Sequence, residues 1–399
     1  MSIWKKEIIE DQFLSIISLL SIVLLFASFY FQSALVFFSA VFILLLLYAN
    51  SFYLKHVGGK LLFIDKRKRT RHFPNDEGQW VIIMENKGLP IMSGHLKITF
   101  NQVVRPMDEN LNARQEHYEM SIPLSINYKE RKEIIIPFIT NKRGMAKLRK
   151  VELHLPHFFG LGETILQYKY LTKQEVLVYP RAISVKNKSV FLTNKQGESY
   201  ARYSLFEDSL SPAGTRNYVN TDSFNQIHWK ASAKNQQLQT KIYDRANETG
   251  WNISLNIAVS HSISKKMEEL ISSAADLAYF FEKNDIQFSV CINIRATNHI
   301  PFLYIPAGKG KGHLQKVLEL LAIADSHGSI YPYEKMLSYY GRHLQQQPFF
   351  LHGGFQSDKA ASIFHEMNTK GYSIYHLQTT KQSATIIQHS LPKKEVQNL

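Results

Sequence analysis

The chain has 399 residues, of which 45% are hydrophobic and 12% aromatic, and its 47 Lys and Arg against 33 Asp and Glu give a formal net charge of +14. This length exceeds that of one ordinary domain, and the apolar content excludes a wholly disordered chain. The charge predicts an anionic partner, which is a membrane surface, a nucleic acid or an acidic protein. A single cysteine, Cys291, excludes an internal disulfide and indicates a reducing compartment; its apolar neighbours predict a buried strand residue.

The first element is an uncharged apolar segment, residues 12–54. It is about twice as long as the ~20 residues that cross a hydrocarbon core as a helix, and Gln32 and Ser33 form a weak polar break in its middle. We therefore predict a transmembrane α-helical hairpin, residues 1–54, with helices over 13–31 and 34–53. Lys5 and Lys6 before the segment and the basic linker after it, residues 55–76, predict that both termini face the cytoplasm.

The basic linker contains a cluster of cationic residues that is predicted to contact anionic lipid headgroups. These residues are Lys66, Arg67, Lys68, Arg69 and Arg71. Attraction to the membrane accounts for part of the net charge. Since the chain shows no stacking-aromatic motif and no helix-turn-helix pattern, we do not expect a nucleic acid partner.

Residues 77–182 have the alternating apolar pattern of β-strands. Segments such as HLKITF, EIIIPFI and EVLVYP are short, rich in β-branched residues and separated by turn residues such as those at 141–144. Several short strands at this spacing predict an antiparallel β-sandwich of the immunoglobulin-like class.

The next region, residues 183–248, contains the most specific residue order of the chain, between residues 216 and 243. The positions that form the pattern are Arg216, Tyr218, Asp222, Ile227, Trp229, Ala233, Lys234 and Lys241. This order resembles the signature of the bacterial domain of unknown function 58 family. Thr221 and Asn225 depart from it, because the family usually has Gly and Arg there. Apolar spacing predicts a helix from Asp222 to Ala233 with Asp222 near its N-cap.

Three interpretations of this signature remain open. Arg216, Asp222 and Trp229 can form a buried structural lock, since Arg–carboxylate pairs and packed Trp residues commonly do so. The same residue types dominate protein–protein interfaces, which predicts a docking surface instead. A catalytic role for Asp222 and Lys234 is the third interpretation, but no nucleophile accompanies them and no carboxylate is placed to orient His228.

The last region, residues 249–399, alternates between strands and helices, which predicts an α/β domain with a mostly parallel sheet. Four helices are predicted, over residues 264–284, 312–324, 333–345 and 357–370. The order resembles the von Willebrand factor A domain that ends members of the family.

This resemblance implies a metal-binding D-x-S-x-S segment after the first strand. Here Ala258 replaces the Asp, while Ser260 and Ser262 are present. Two neutral hydroxyls compensate poorly for a lost carboxylate in a Mg²⁺ site. We therefore expect a degenerate site, no metal or other cofactor, and serines that cap the following helix.

The family resemblance also implies a function. Members are commonly associated with MoxR-type AAA+ ATPases and with transglutaminase-like membrane proteins, so we expect a non-enzymatic adaptor or scaffold in the bacterial cell membrane that helps such an ATPase to assemble or remodel complexes. One alternative is a metal- or ligand-binding module, or a hydrolase, that uses Ser260, Ser262 and Asp222. Another is a lipid sensor that acts through the basic linker.

Overall fold

The computed structural model describes residues 3–10, 12–107, 112–113, 117–156, 162–193, 207–219, 222–245, 250–259, 262–325, 328–380 and 382–388. The chain divides into two compact units, Met1–Pro180 and Arg181–Leu399.

The first unit is rich in β-structure and forms two sheets. Its strands are β1 Trp4–Glu10, β2 Leu61–Ile64, β3 Lys68–His72, β4 Glu77–Asn86, β5 His95–Asn101, β6 Val104–Pro106, β7 Asn112–Ala113, β8 His117–Pro123, β9 Arg131–Thr140, β10 Gly144–Pro156, β11 Gly162–Tyr168 and β12 Gln174–Val178. One sheet has the order β1-β11-β10-β5-β8-β7, with β12 joined to β10 and β3, and the other has the order β2-β4-β9-β6. Most pairs are antiparallel, whereas β3 and β12 are parallel.

Both sheets contribute side chains to one hydrophobic core. Trp80 of β4 stacks on Phe100 of β5 at 5.1 Å between ring centroids and packs against Phe138 of β9 at 4.8 Å. These three residues lie on the buried positions of alternating strands, as the two-residue period predicts.

The strands of this unit extend into residues that the sequence assigned to the hairpin and the linker. β1 pairs with β11 in a register that places Trp4 opposite Tyr168, and the Trp4 indole Nε1 donates to the Leu61 carbonyl at 2.8 Å. β2 and β3 lie within the predicted linker. Sequence periodicity missed these strands because β2 and β3 are short and because the partners of β1 and β3 are distant along the chain.

Two helices lie between β1 and β2, α1 Gln12–Tyr30 and α2 Ala34–His56. The chain reverses at Gln32, which has a positive φ of 48°. By length and composition α2 can cross a membrane. The apolar part of α1, Ser15–Tyr30, is shorter. The Lys6 ammonium donates to the carbonyls of Leu54, Lys55 and Val57, which places a cation at the C-terminal end of α2.

The second unit contains a seven-stranded sheet and six α-helices among its described residues. Its strands are β13 Val185–Lys186, β14 Glu207–Asn217, β15 Gln239–Arg245, β16 Trp251–Asn256, β17 Ala258–Val259, β18 Ser262–Ile263, β19 Phe288–Arg295, β20 Phe302–Gly308, β21 Phe349–Gly354, β22 Ser373–Thr379 and β23 Ala384–Gln388. Its helices are α3 Ser189–Thr193, α4 Trp229–Asn235, α5 Met267–Lys283, α6 Gly310–Ile323, α7 Tyr333–His343 and α8 Asp358–Thr369.

The large sheet has the order β13-β23-β22-β21-β16-β19-β20. The pairs between β19, β16, β21 and β22 are parallel, and β20 and β23 are antiparallel to their inner neighbours. Helices pack on the sheet through aromatic side chains of its central strands: Trp251 of β16 lies against Phe281 of α5, and Phe350 of β21 lies against Phe364 of α8. The four predicted helices correspond to α5, α6, α7 and α8.

The predicted helix from Asp222 to Ala233 is absent. A short 3-10 turn, Phe224–Gln226, is followed by the extended residue Ile227, and α4 begins only at Trp229. Ile227 forms an isolated β-bridge with Thr240. This pairing keeps the backbone extended between the 3-10 turn and α4.

Candidate functional site

The signature residues lie on one small substructure, which we call the signature hairpin: residues 214–219 and 222–241. β14 and β15 pair there in antiparallel fashion, with Arg216 opposite Thr240. The start of α4 is tied to β15 because His228 N donates to the Gln239 carbonyl at 2.8 Å. Gln239 N in turn donates to Ser232 Oγ at 2.8 Å. The side chain of Ile227, just before α4, is buried. These contacts hold α4 firmly on the hairpin.

A bidentate ion pair joins Arg216 to Asp222. Nη1 lies 2.7 Å from Oδ2 and Nη2 lies 2.5 Å from Oδ1. Val219 N and Thr240 Oγ1 each donate to Oδ2 at 3.0 Å. The Arg216 guanidinium, and then the Val219 N–H, hold the pKa of Asp222 at about 2. The carboxylate is therefore an ionised cross-link and is not available as the N-cap that the sequence predicted.

Trp229 does not belong to a buried lock, because it is 66% exposed at the first position of α4. Large apolar residues of the same hairpin are exposed with it, namely Val219, Phe224 and Leu238. Lys234 is exposed on α4, and Lys241 is half-buried on β15. Tyr218 is also half-buried, with its ring centroid 6.0 Å from that of Phe224. The signature therefore divides into an internal residue, Ile227, an ion pair in which Arg216 is exposed and the Asp222 side chain is largely covered, and a set of exposed residues. We call that set, which includes Phe224 and Trp229, the exposed aromatic face.

His228 caps α4, a role that sequence analysis assigned elsewhere. Its Nδ1 accepts a hydrogen bond from Ala231 N at 3.1 Å. Since the ring nitrogen is engaged by the backbone, His228 is a structural residue in this arrangement. Histidine is not among the residue types preferred at the N-cap, so no local signal in the sequence indicated this role.

The basic cluster lies on the first unit, in the loop after β2 and on β3. Lys66, Arg67, Lys68, Arg69 and Arg71 are all exposed. Arg69 also forms an ion pair with Glu175 of β12, at 3.3 Å between Nε and Oε2. The cluster is thus carried by an ordered strand, and part of its charge is balanced within the protein.

A cavity of about 820 Å³ opens at the carboxyl ends of β16, β19 and β21. We call it the edge pocket, and its described lining comprises Asn256, Ala258, Ile263, Asn293, Gly328, Ser329, Ile330, Pro332, Tyr333, Glu334, Phe355 and Ser357. Doubly wound sheets bind their ligands beyond the carboxyl ends of the strands, at this type of position.

Two buried amides tie the strand ends around the edge pocket together. Asn256 Oδ1 accepts from Asn293 Nδ2 at 2.8 Å and from Ala258 N at 3.1 Å, and Asn256 Nδ2 donates to the Phe355 carbonyl at 2.7 Å. Asn293 Oδ1 accepts from Ile257 N at 2.8 Å. The rim of the pocket is therefore preorganised by side chains from β16 and β19.

The donor set of the edge pocket does not fit a Mg²⁺ ion. Ala258 lines it where the family resemblance placed a carboxylate, Ser262 Oγ donates to the Val259 carbonyl at 3.2 Å, and Ser260 lies outside the described residues. Asp222 lies on the signature hairpin, with its oxygens engaged by Arg216. Within the described ranges there is no group of three or more His, Cys, Asp or Glu that could hold a metal. Nor does Ser262 cap α5, whose N-cap residue is Lys266.

Three solved structures that match the chain are remotely similar to it. A non-cellulosomal cohesin from the archaeon Archaeoglobus fulgidus is 11% identical, covers 30% of this chain and 91% of its own, and has a TM-score of 0.20. A putative membrane anchored protein from Corynebacterium diphtheriae is 9% identical over 32% of this chain and 35% of its own, with a TM-score of 0.20. Spo0M, a sporulation control protein from Bacillus subtilis, is 15% identical over 30% and 48%, with a TM-score of 0.16. Similarities of this size carry no argument about fold or function.

No curated protein matches the chain. The family model described as protein of unknown function DUF58 matches residues 214–347. This range begins in the signature hairpin and continues through α7, so it includes both the exposed aromatic face and the greater part of the edge pocket. Residues 214–347 therefore form a region of the DUF58 family.

Proposed function

We propose that this protein is a non-enzymatic, membrane-anchored adaptor or scaffold that docks a MoxR-type AAA+ ATPase through its signature hairpin. Its role is to help the ATPase to assemble or remodel membrane-associated complexes, with a transglutaminase-like membrane protein as a further partner. The class of partner follows from the family resemblance. The observation that carries the proposal is the exposure of Trp229 on a rigid hairpin.

The exposed face has the chemistry of an interface hot spot. Trp, Tyr and Arg dominate binding energy in interfaces, and Trp229 and Arg216 are both exposed here. Little conformational entropy is lost on docking when a side chain is presented by a rigid element, and the Arg216–Asp222 pair makes this hairpin rigid. Lys230 and Lys234 flank Trp229, so the partner surface is expected to be apolar with an acidic rim.

Several contacts support a non-enzymatic role. The Asp222 carboxylate is held ionised by Arg216, and Nδ1 of His228 accepts a hydrogen bond from the backbone of α4, so both side chains are engaged in structural contacts. Cys291 is buried, and burial raises the pKa of its thiol to about 11, which keeps it protonated and unreactive. We propose no cofactor.

The fold of the first unit supports a transmembrane hairpin. β1 precedes α1 and β2 follows α2, and both strands belong to the same folded unit. If the helices cross the membrane, their outer ends must therefore lie on the same side, which requires an even number of crossings. With the exposed basic cluster, this favours a multi-pass protein of the bacterial cell membrane with both soluble units and both termini in the cytoplasm.

The topology of the second unit supports a von Willebrand factor A-like domain. Counted along the chain from β16, the six strands that follow β15 and form the main sheet have the spatial order 3-2-1-4-5-6. The third and the sixth of them are antiparallel to their neighbours. For the first unit, two sheets with a common core support the immunoglobulin-like class.

The docking proposal is tested with the full-length protein in detergent micelles and the MoxR-type ATPase of the same cell. We expect Trp229→Ala to weaken binding about thirtyfold or more, because truncation of a hot spot costs about 2 kcal/mol or more. The matched control is Tyr128→Ala, since Tyr128 is 59% exposed on the first unit and lies outside the signature.

Equal binding by wild type and Trp229→Ala would exclude the hairpin as the docking site. If the folded wild-type protein binds no such ATPase, the adaptor proposal itself is wrong.

A further inference from the structure

We propose that the edge pocket binds an organic cation, a guanidinium or alkylammonium group, through the carboxylate of Glu334. This site does not depend on docking through the signature hairpin.

The charge of the pocket comes from one residue. Glu334 is the only acidic residue among the described lining residues, and none of them is basic. Its Oε1 accepts a hydrogen bond from Ser357 Oγ at 2.5 Å, and this partner carries no charge. A half-buried carboxylate in a concave site attracts a cation more strongly than one in open water, because the field is less screened.

The rest of the lining suits the body of an organic cation. Ser329 offers a further hydroxyl, and Phe355 presents an exposed aromatic ring, which attracts a cation placed over its face. A guanidinium group uses all these features at once, because it is planar, weakly hydrated and rich in N–H donors.

The carboxylate is held in position from both sides. Tyr333, the preceding residue, is anchored by its hydroxyl, which lies 2.8 Å from Ser254 Oγ and 2.7 Å from His352 Nδ1. Ser357, the partner of Glu334, is itself the N-cap of α8 and accepts from Ala360 N at 3.2 Å. Glu334 therefore connects the beginnings of α7 and α8 across the pocket, with little freedom to withdraw.

Size and charge together distinguish this ligand from a metal ion. A cavity of about 820 Å³ is of the size that holds small organic molecules, roughly 300–1,000 Å³. Mg²⁺ requires close octahedral oxygen ligands and usually one or two carboxylates with several waters, which a single rim carboxylate and distant neutral groups do not supply. The loss of the Asp at position 258 and the presence of Glu334 thus change the kind of cation that fits.

The test measures binding to the full-length protein in detergent micelles by ligand-observed NMR and calorimetry. The probes are Nα-acetyl-arginine methylamide, its neutral isostere Nα-acetyl-citrulline methylamide, and agmatine. We expect the arginine probe to bind at least about tenfold more tightly than the citrulline probe, and Glu334→Gln to remove this preference. Binding of the capped probe identifies a polypeptide side chain as a suitable source, whereas binding of agmatine alone identifies a small molecule.

Glu268→Gln is the matched control. Glu268 is the second residue of α5, as Glu334 is of α7, so the two variants change the net charge and the helix dipole interaction equally. We expect Glu268→Gln to bind like wild type. Phe355→Leu, at an exposed position, is expected to weaken the arginine probe about two- to fivefold and to leave the citrulline probe unchanged, which tests the site even if Glu334→Gln fails to fold.

Two results would overturn the proposal. One is that neither cationic probe, the arginine probe nor agmatine, binds wild type more tightly than the neutral citrulline probe does. The other is displacement of the arginine probe by millimolar MgCl2 in wild type, at constant ionic strength, which would identify a metal site.

Discussion

Two tryptophans of the second unit provide a direct test of whether Trp229 is a surface residue. Trp251 is 1% exposed, and its ring stacks on Phe349 at 4.8 Å between centroids. Trp251→Ala is expected to lower the free energy of unfolding by about 3–5 kcal/mol, the usual cost of removing a buried aromatic side chain. Trp229→Ala is expected to cost much less, because two thirds of the residue is already in water.

The magnitude for Trp229 follows from its exposure of 66%. A fully buried Trp removes about 150–250 Å² from water, and a third of that area, at about 25 cal/mol per Å², corresponds to about 1–2 kcal/mol. This value is an upper bound, since the unfolded chain also buries part of its apolar surface.

Cys291 provides the assay, because it is the only cysteine and is buried in the second unit. When opening is in rapid equilibrium, the rate of thiol labelling in the native protein rises tenfold for every ~1.4 kcal/mol of lost stability. We expect labelling to accelerate about a hundredfold or more in Trp251→Ala and at most about thirtyfold in Trp229→Ala. Equal acceleration in both variants would show that Trp229 is a packed structural residue and would refute the reasoning for a docking face.

Four further predictions concern single side chains. The pKa of Asp222 is held at about 2 by Arg216, so the stability that the ionised pair contributes is complete above pH 3.8 and is lost as the pH falls towards 2; the difference in unfolding midpoint between wild type and Asp222→Asn should vanish across that window. Burial raises the pKa of the Cys291 thiol to about 11, so iodoacetamide at pH 8 should label native protein at least about a hundredfold more slowly than unfolded protein. Lys6→Met removes the donors to three carbonyls at the end of α2 and should destabilise the first unit by about 1–3 kcal/mol in detergent unfolding, and an unchanged midpoint would contradict this capping role. Ala258→Asp should create a Mg²⁺-dependent thermal shift that wild type lacks, whereas a shift in wild type would contradict the degenerate site.

Residues whose structure depends on near neighbours could be predicted from the sequence. The period of 3.6 residues in α5 and the period of two in β4 arise because each element presents one apolar face to a core. The apolar helix α2 could be predicted in the same way, since its length and apolar composition are properties of the segment itself. The family signature was recognisable for the same reason, because it is an order of residues within one segment.

Contacts between distant segments could not be predicted in this way. Nothing in the residues of β1 indicates that Trp4 faces Tyr168, because two long helices separate this strand from its partner. The residues next to Glu334 in the sequence do not indicate a ligand site either. It becomes one only because the carboxyl ends of three strands and the beginnings of two helices converge around it.

The sequence alone determined the apolar segment near the N-terminus, the strand-rich character of residues 77–182, the four helices α5 to α8, and the family of the signature segment. The tertiary structure decided which signature residues are internal and which are exposed: Ile227 is buried, whereas Trp229 is not. The physical reason is that burial depends on what packs against a side chain. The exposure of Trp229 is determined by the turn after Asp222 and by the pairing of β14 with β15, and not by the identity of the residue.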